Sequence, residues 1–162
     1  MINYLESAKR QFKMYKGLGE KAMAQMEDPT LAWQANEDSN SVISIIQHMW
    51  GNMLSRWTDF LTTDGEKPWR QRDAEFENGA VSREAIMQKW EEGWACVFTA
   101  LDSITDADLE KIIYIRAEAH TVLEAINRQI AHYAYHVGQI VYVAKLHTHD
   151  DWQSMTIPRK KG

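Results

Sequence analysis

Apolar positions recur along the chain at steps of three, four and seven, the spacing of one helical face, and polar breaks divide them into four stretches. The first carries Ile2, Leu5, Phe12, Tyr15, Ala22 and Met26. It is expected to end at Asp28-Pro29, because proline pushes the preceding residue out of helical geometry. After the polar segment TLAWQANEDSN, Ser41 is placed to cap a second helix through Val42, Ile46, Met49, Met53 and Phe60, closed by Thr63-Asp64-Gly65. Ser82 caps a third helix that aligns Ile86, Trp90, Trp94, Val97 and Leu101. The segment between them, DGEKPWRQRDAEFENGAV, is long for a connection in a helical protein, and such connections often cover or form binding sites. Beyond the acidic TDADLE, the run IIYIRAE suits extended backbone, and Thr121-x-x-Glu124 is a capping box opening a fourth helix to about His147. Residues 150–162 read as an irregular tail. The pattern predicts an all-α fold: an up-and-down four-helix bundle in a single domain over residues 1–162, with one long loop between helices two and three.

The fourth helix carries the most information. Between Thr121 and His147 its only formal charges are Glu124, Arg128 and Lys145, so burial on most sides is expected. Leu123, Ile126, Ile130, Val137, Val141 and Ala144 make one apolar stripe at about 100° per residue. His132, His136 and Gln139 lie opposite, beside Ala125 and Val143. One face meets the core, and the other a second subunit or an internal polar site; periodicity does not distinguish them.

Composition narrows the picture. Hydrophobic residues at 44%, with Lys+Arg 18 against Asp+Glu 23 and a net charge of -5, describe a packed domain rather than a disordered chain. Three Pro and 8 Gly are too few for the frequent turns of a sandwich or barrel. Cys96 is the single cysteine, so no internal disulfide forms, and MINYLESAKRQF lacks the apolar core of a secretory leader. A cytoplasmic location is expected. No apolar run approaches the roughly 18 residues of a membrane span. Basic residues cluster only at Arg159, Lys160 and Lys161, read as a solvated tail, so neither nucleic acid nor membrane is expected as a partner. What stands out is 7 Trp with 6 His, more than a helical core requires.

His132-x-x-x-His136 sets two imidazoles one turn apart on one face, where both can reach a single metal ion. Two separate histidines, each with its own hydrogen bond, satisfy the same spacing. The sparse charge of the helix favours a shared partner, because two adjacent buried imidazoles need one. Tyr133 occupies the position where HExxH carries its glutamate base, so the pair is not a zincin motif. His48 on the second helix is the candidate third ligand, with Asn52 and Ser55 extending a polar strip; a partly exposed boundary histidine is the alternative. Gln139 and Asn52 are placed to hydrogen-bond a ligating imidazole or a bound water, or else to make packing contacts between helices. Arg56, Arg70 and Arg72 are candidates for binding the carboxylates of an anionic substrate, against surface ion pairs with Asp59, Asp64, Asp73 or Glu75. Trp69 is a candidate for anchoring the long loop over the pocket, or for covering an end of the bundle. His147 and His149 with Asp150 and Asp151 read as solvated, His120 as a loop residue, and Cys96 as a small buried hydrophobe.

The segments NSVISIIQHMWGNMLSRWTDFLTTDGEKPWRQRDAEF, INRQIAHYAYHVGQIVYVAKL and the closing SMTIPRKK resemble the DinB-like superfamily of bacterial four-helix proteins, in a branch mainly of unknown function. The resemblance spans nearly the whole chain. It implies a three-histidine site on His48, His132 and His136 holding a divalent metal, Zn or Ni, and a homodimer acting on a small-molecule substrate. Characterised relatives include bacillithiol-type thiol transferases and mycothiol-dependent isomerases, which implies a low-molecular-weight thiol as co-substrate. A non-catalytic metal-binding or stress-response module, with a structural metal, is the competing expectation.

Overall fold

The computed structural model describes residues 4–77 and 81–157. Ile2 and the Arg159–Lys161 cluster lie outside the described residues. The chain is mostly helical: α1 (Tyr4–Met23), a short α2 (Asp28–Leu31), α3 (Val42–Trp57), α4 (Arg83–Asp102) and α5 (Val122–Thr148), with strands β1 (Ile112–Ile115) and β2 (Glu118–Thr121) before α5. Helix α1 packs on α5 and α4, and α3 packs on α4 and α5. At the centre each long helix supplies one aromatic ring: Phe12, Trp57, Trp94 and Tyr133, with centroids 5.5–6.2 Å apart between Trp94 and Tyr133 and between Phe12 and Trp57 or Trp94. Trp57, Trp90 and Trp94 are all buried. Truncating a ring of this kind to alanine costs about 3–5 kcal/mol.

The helix starts follow their capping residues. Ser41 Oγ accepts from Ser44 N, Ser82 Oγ from Ala85 N, and Thr121 closes a reciprocal box with Glu124. The ends depart from the pattern. Asp28-Pro29 does not terminate α1 but opens α2, since a proline without an N–H is tolerated in a helix's first turn. Helix α3 stops at Trp57, short of Phe60: Thr58 is extended and Asp59 takes φ 48, its carbonyl accepting from the amides of Thr62 and Thr63.

The segment expected to be extended is one arm of a hairpin. β1 and β2 pair antiparallel with Ile115 opposite Glu118, leaving Arg116 and Ala117 as a two-residue turn at φ 58 and 61. His120 therefore lies in β2 rather than a loop. Asp64 secures the turn by accepting from the amides of Arg116 at 2.8 Å and Ala117 at 2.7 Å. The hairpin is thereby tied to the connection leaving α3.

Helix α5 is less enclosed than expected. Its buried side is centred on Ile126, Tyr133, Val137, Ile140 and Ala144, while Leu123, Ile130 and Val141 are only half-buried. Tyr135, Tyr142 and Leu146 are 55%, 65% and 41% exposed. Low charge over that side thus reflects an uncharged surface, not coverage by this chain. Among the described residues no helix is long and apolar enough to cross a membrane.

Candidate metal centre

Two helices present matching rows at a spacing of four. The cap at Ser41 sets the α3 register that puts His48, Asn52 and Arg56 on one face, and the box at Thr121 does the same for Arg128, His132 and His136 on α5. Where the rows face each other, His48 Nε2 lies 3.3 Å from His132 Nε2, which lies 3.1 Å from His136 Nε2. All three ligand atoms fall within 4.8 Å of one another. Nitrogens bound tetrahedrally at about 2.0–2.1 Å from one ion stand about 3.3 Å apart, so the spacing fits a divalent metal.

The opposite edge of each ring supports the same assignment. His48 Nδ1 meets Glu75 Oε2 at 3.0 Å, His132 Nδ1 meets Gln129 Oε1 at 3.4 Å, and His136 Nδ1 meets Gln139 Oε1 at 2.9 Å. All three partners accept hydrogen bonds, which puts each ring proton on Nδ1 and turns each Nε2 lone pair inward. Three lone pairs aimed at one point repel unless a cation lies between them. Burial, with His136 and His48 alongside, holds His132 down to about 3. Burial likewise takes His136 down to about 4, against the raising effect of Gln139 and with His48 adding to the fall. Both imidazoles are neutral at pH 7, the form that binds metal.

The long connection supplies a third wall. Its one turn of 3-10 helix, Asp73–Phe76, packs against α3, where Gln47 Nε2 donates to the carbonyls of Glu75 and Glu77. Gly51 makes the approach possible, since a Cβ there would overlap the Glu75 carboxylate. Arg70 clamps that carboxylate with two bonds, Nε to Oε1 at 2.7 Å and one terminal nitrogen to Oε2 at 2.8 Å. Burial pushes the Glu75 carboxyl up, but Arg70 and His48 more than offset it and hold it below the usual carboxylate range. Phe76 stacks on His48 with centroids 5.1 Å apart, and Tyr135 lies 4.1 Å from His136.

A cavity of about 410 Å³ opens over the histidines, lined by Asn52, Arg56, Arg70, Arg72, Gln129 and Tyr135 among others. Of the residues singled out from sequence, His48, His132 and His136 come together, and Gln139 bonds the ring of His136. Asn52 accepts from the Tyr133 hydroxyl at 3.1 Å, and that hydroxyl accepts from Trp57 Nε1 at 3.1 Å, linking the site to the core. Burial keeps the Tyr133 phenol protonated. Arg56, Arg70 and Arg72 all line the cavity, and Arg70 pairs with Glu75 as well, in a buried rather than a surface bond. Trp69 does not cover this cavity. Half exposed, it sits in the turn closed by the Arg70 amide on the Lys67 carbonyl and lines a separate groove with Trp50, Gln71 and Lys89. Glu75, Gln129, Gly51, Phe76, Arg116 and Arg128 were not read from sequence as part of the site. Gln129 and Arg128 had a signal, sitting three and four residues before His132 as Gln139 sits three after His136, while Glu75 was read only as a surface ion-pair partner of the arginines. Among the described residues no other group of three or more His, Cys, Asp or Glu is placed to hold an ion, and His147 packs on Trp33 instead.

The fold and its centre define a helical protein with a buried three-histidine cluster suited to a metal. The chain matches the model of a family described as a protein of unknown function, DUF1572, over residues 1–161, and belongs to that family. No curated protein and no solved structure matches it.

Proposed function

We propose that this chain is a single-domain, metal-dependent enzyme acting on a small molecule, built as an up-and-down four-helix bundle, with one divalent ion, zinc or nickel, held by His48, His132 and His136. The observation that carries this reading is the inward convergence of three Nε2 atoms whose Nδ1 partners are all acceptors. Bound there, the ion supplies Lewis acidity that lowers the pKa of a coordinated thiol or water. Glu75, Gln129 and Gln139 hold the ring protons away from the centre, and Phe76 and Tyr135 fix the ring planes. No carboxylate is among the described residues lining the cavity, and Glu66 and Glu75 beside it are engaged by arginines. A reaction whose nucleophile comes with the substrate, such as transfer of a low-molecular-weight thiol, suits the site better than hydrolysis. Cys96 lies elsewhere, beside Thr58 and the Met53 carbonyl, and burial raises its thiol pKa. The resemblance to DinB-like proteins supports the same chemistry. In this reading the chain is a homodimer, its second copy covering the exposed Tyr135, Tyr142 and Leu146 of α5.

Elemental analysis tests the centre. Wild type is expected to carry about one zinc or nickel per chain after exposure to both, and His132→Ala prepared alongside it to carry almost none; equal retention means the site is misread. The lack of a lining carboxylate also favours the competing reading, a non-catalytic module with a structural metal. Metal-dependent conjugation of an electrophile to a small thiol, lost in a folded His48→Ala variant, rejects that alternative.

A further inference from the structure

The cavity over the histidines has a charge opposite to that of the chain. Five arginines line it, Arg56, Arg70, Arg72, Arg116 and Arg128, in a protein whose net charge is -5. They come from separate parts of the chain: α3, the long connection, the hairpin turn and α5. Two carboxylates form ion pairs with their side chains. Glu75 is clamped by Arg70, and Glu66 is shared between Arg56 at 3.3 Å and Arg116 at 2.7 Å. Asp64, which accepts from the Arg116 amide and interacts with Arg56, is a third nearby carboxylate, so five positive charges face three negative and leave two in excess.

That excess is held in place. Arg56 is 6% exposed, and its Nε is buried without a hydrogen-bond partner. Arg72 lies over the Phe76 ring at 5.5 Å, which positions the guanidinium while leaving its donors available. Among the described residues neither Arg72 nor Arg128 forms an ion pair. Like charges gathered round one concavity repel, most strongly at the buried Arg56, where water screens least. An anion in the cavity relieves it, and guanidinium binds phosphate or carboxylate through paired hydrogen bonds.

We propose that the cavity binds a small polyanion through phosphate or carboxylate groups, with Arg72 and Arg128 as direct contacts and Arg56 and Arg116 supplying the surrounding field. Arg128 precedes His132 by four residues on the same face, about 6 Å along the axis. An anionic group on Arg128 therefore leaves the rest of the ligand directed toward the three Nε2 atoms. The volume, about 410 Å³, is that of a small-molecule site. The inference deepens the metal-site reading and rests on it only for where the reacting end of the ligand lies.

Pyrophosphate and citrate, titrated calorimetrically into metal-free full-length protein, provide the test. The result expected is saturable binding of at least one of them, weakened at least tenfold in the double variant Arg72→Gln/Arg128→Gln. Both side chains are exposed, so the variant should keep its fold, checked by circular dichroism. Preference for one probe assigns phosphate or carboxylate as the recognised group, and equal binding assigns both. No saturable binding of either probe, or a loss smaller than tenfold in the double variant, overturns the proposal. A parallel zinc titration of the same samples reports on the histidines alone. Anion binding without zinc binding would sink the metal reading and leave this one standing, and the reverse result would do the opposite.

Discussion

Glu75 acts on the centre through one atom, His48 Nδ1, yet its own placement depends on three other residues. Arg70 holds the carboxylate, Gln47 holds the backbone around it, and Gly51 leaves the space it fills. Carboxylates that orient metal-binding histidines are worth about 10–100-fold in affinity when removed. Glu75→Gln, which keeps an acceptor but loses the charge, is therefore expected to weaken zinc binding by about that factor. Gly51→Ala should act in the same direction by displacing the carboxylate. Competition against a chromophoric chelator measures both, and unchanged affinity in Glu75→Gln would show that the carboxylate does not tune His48. At this scale sequence and structure differ in reach. His132 and His136 are legible because helical geometry makes positions four apart neighbours. Glu75 is 27 residues from His48, and no local rule joins them.

Arg116 and Ala117 show what an element does for the site and at what cost. Both take left-handed backbone without being glycine, at φ 58 and 61, because a two-residue hairpin turn demands it. Asp64 offsets the strain by bonding both amides, and the turn delivers Arg116 to the cavity. Ala117→Gly separates the terms. Relief of left-handed strain is about 1–2 kcal/mol, whereas the added freedom of the unfolded chain costs about 0.4–1 kcal/mol. Relief wins, so the variant is expected to be more stable, by up to about 1.6 kcal/mol. Urea unfolding measures it; a lower midpoint would mean that the turn is not strained. The starts of α3, α4 and α5 were readable from Ser41, Ser82 and Thr121, since caps act within four residues. The second arm of the hairpin was not, because it answers to Asp64 far off in the chain, and the end of α3 and the opening of α2 were not, because a left-handed Asp59 and a proline in a first turn are local choices that periodicity leaves open.

For the whole molecule, the buried histidines couple stability to pH. Histidine in an unfolded chain titrates near 6.5, whereas His136 is held down to about 4 and His132 to about 3. Between those limits the unfolded chain binds protons that the folded one refuses, so stability present above pH 6.5 is lost as pH falls. Carboxylates held low, such as Glu75 and Asp64, contribute only below their ordinary range near 4.5, which leaves the interval above it to the histidines. The urea midpoint of the metal-free protein is expected to fall from pH 7 to 4.5, and to fall less steeply in His136→Gln. Equal slopes in the two proteins would contradict this account. Sequence alone determined the helical character, the helix starts and the paired histidines of α5, because periodicity and capping are written in residues a turn apart. Sequence nominated His48 and Gln139, but only tertiary structure decided that His48 meets the pair, that Glu75 and Gln129 join Gln139 in orienting the rings, and that five arginines share one cavity. Those groupings arise from packing between segments distant in sequence, where position along the chain carries no information about distance in space.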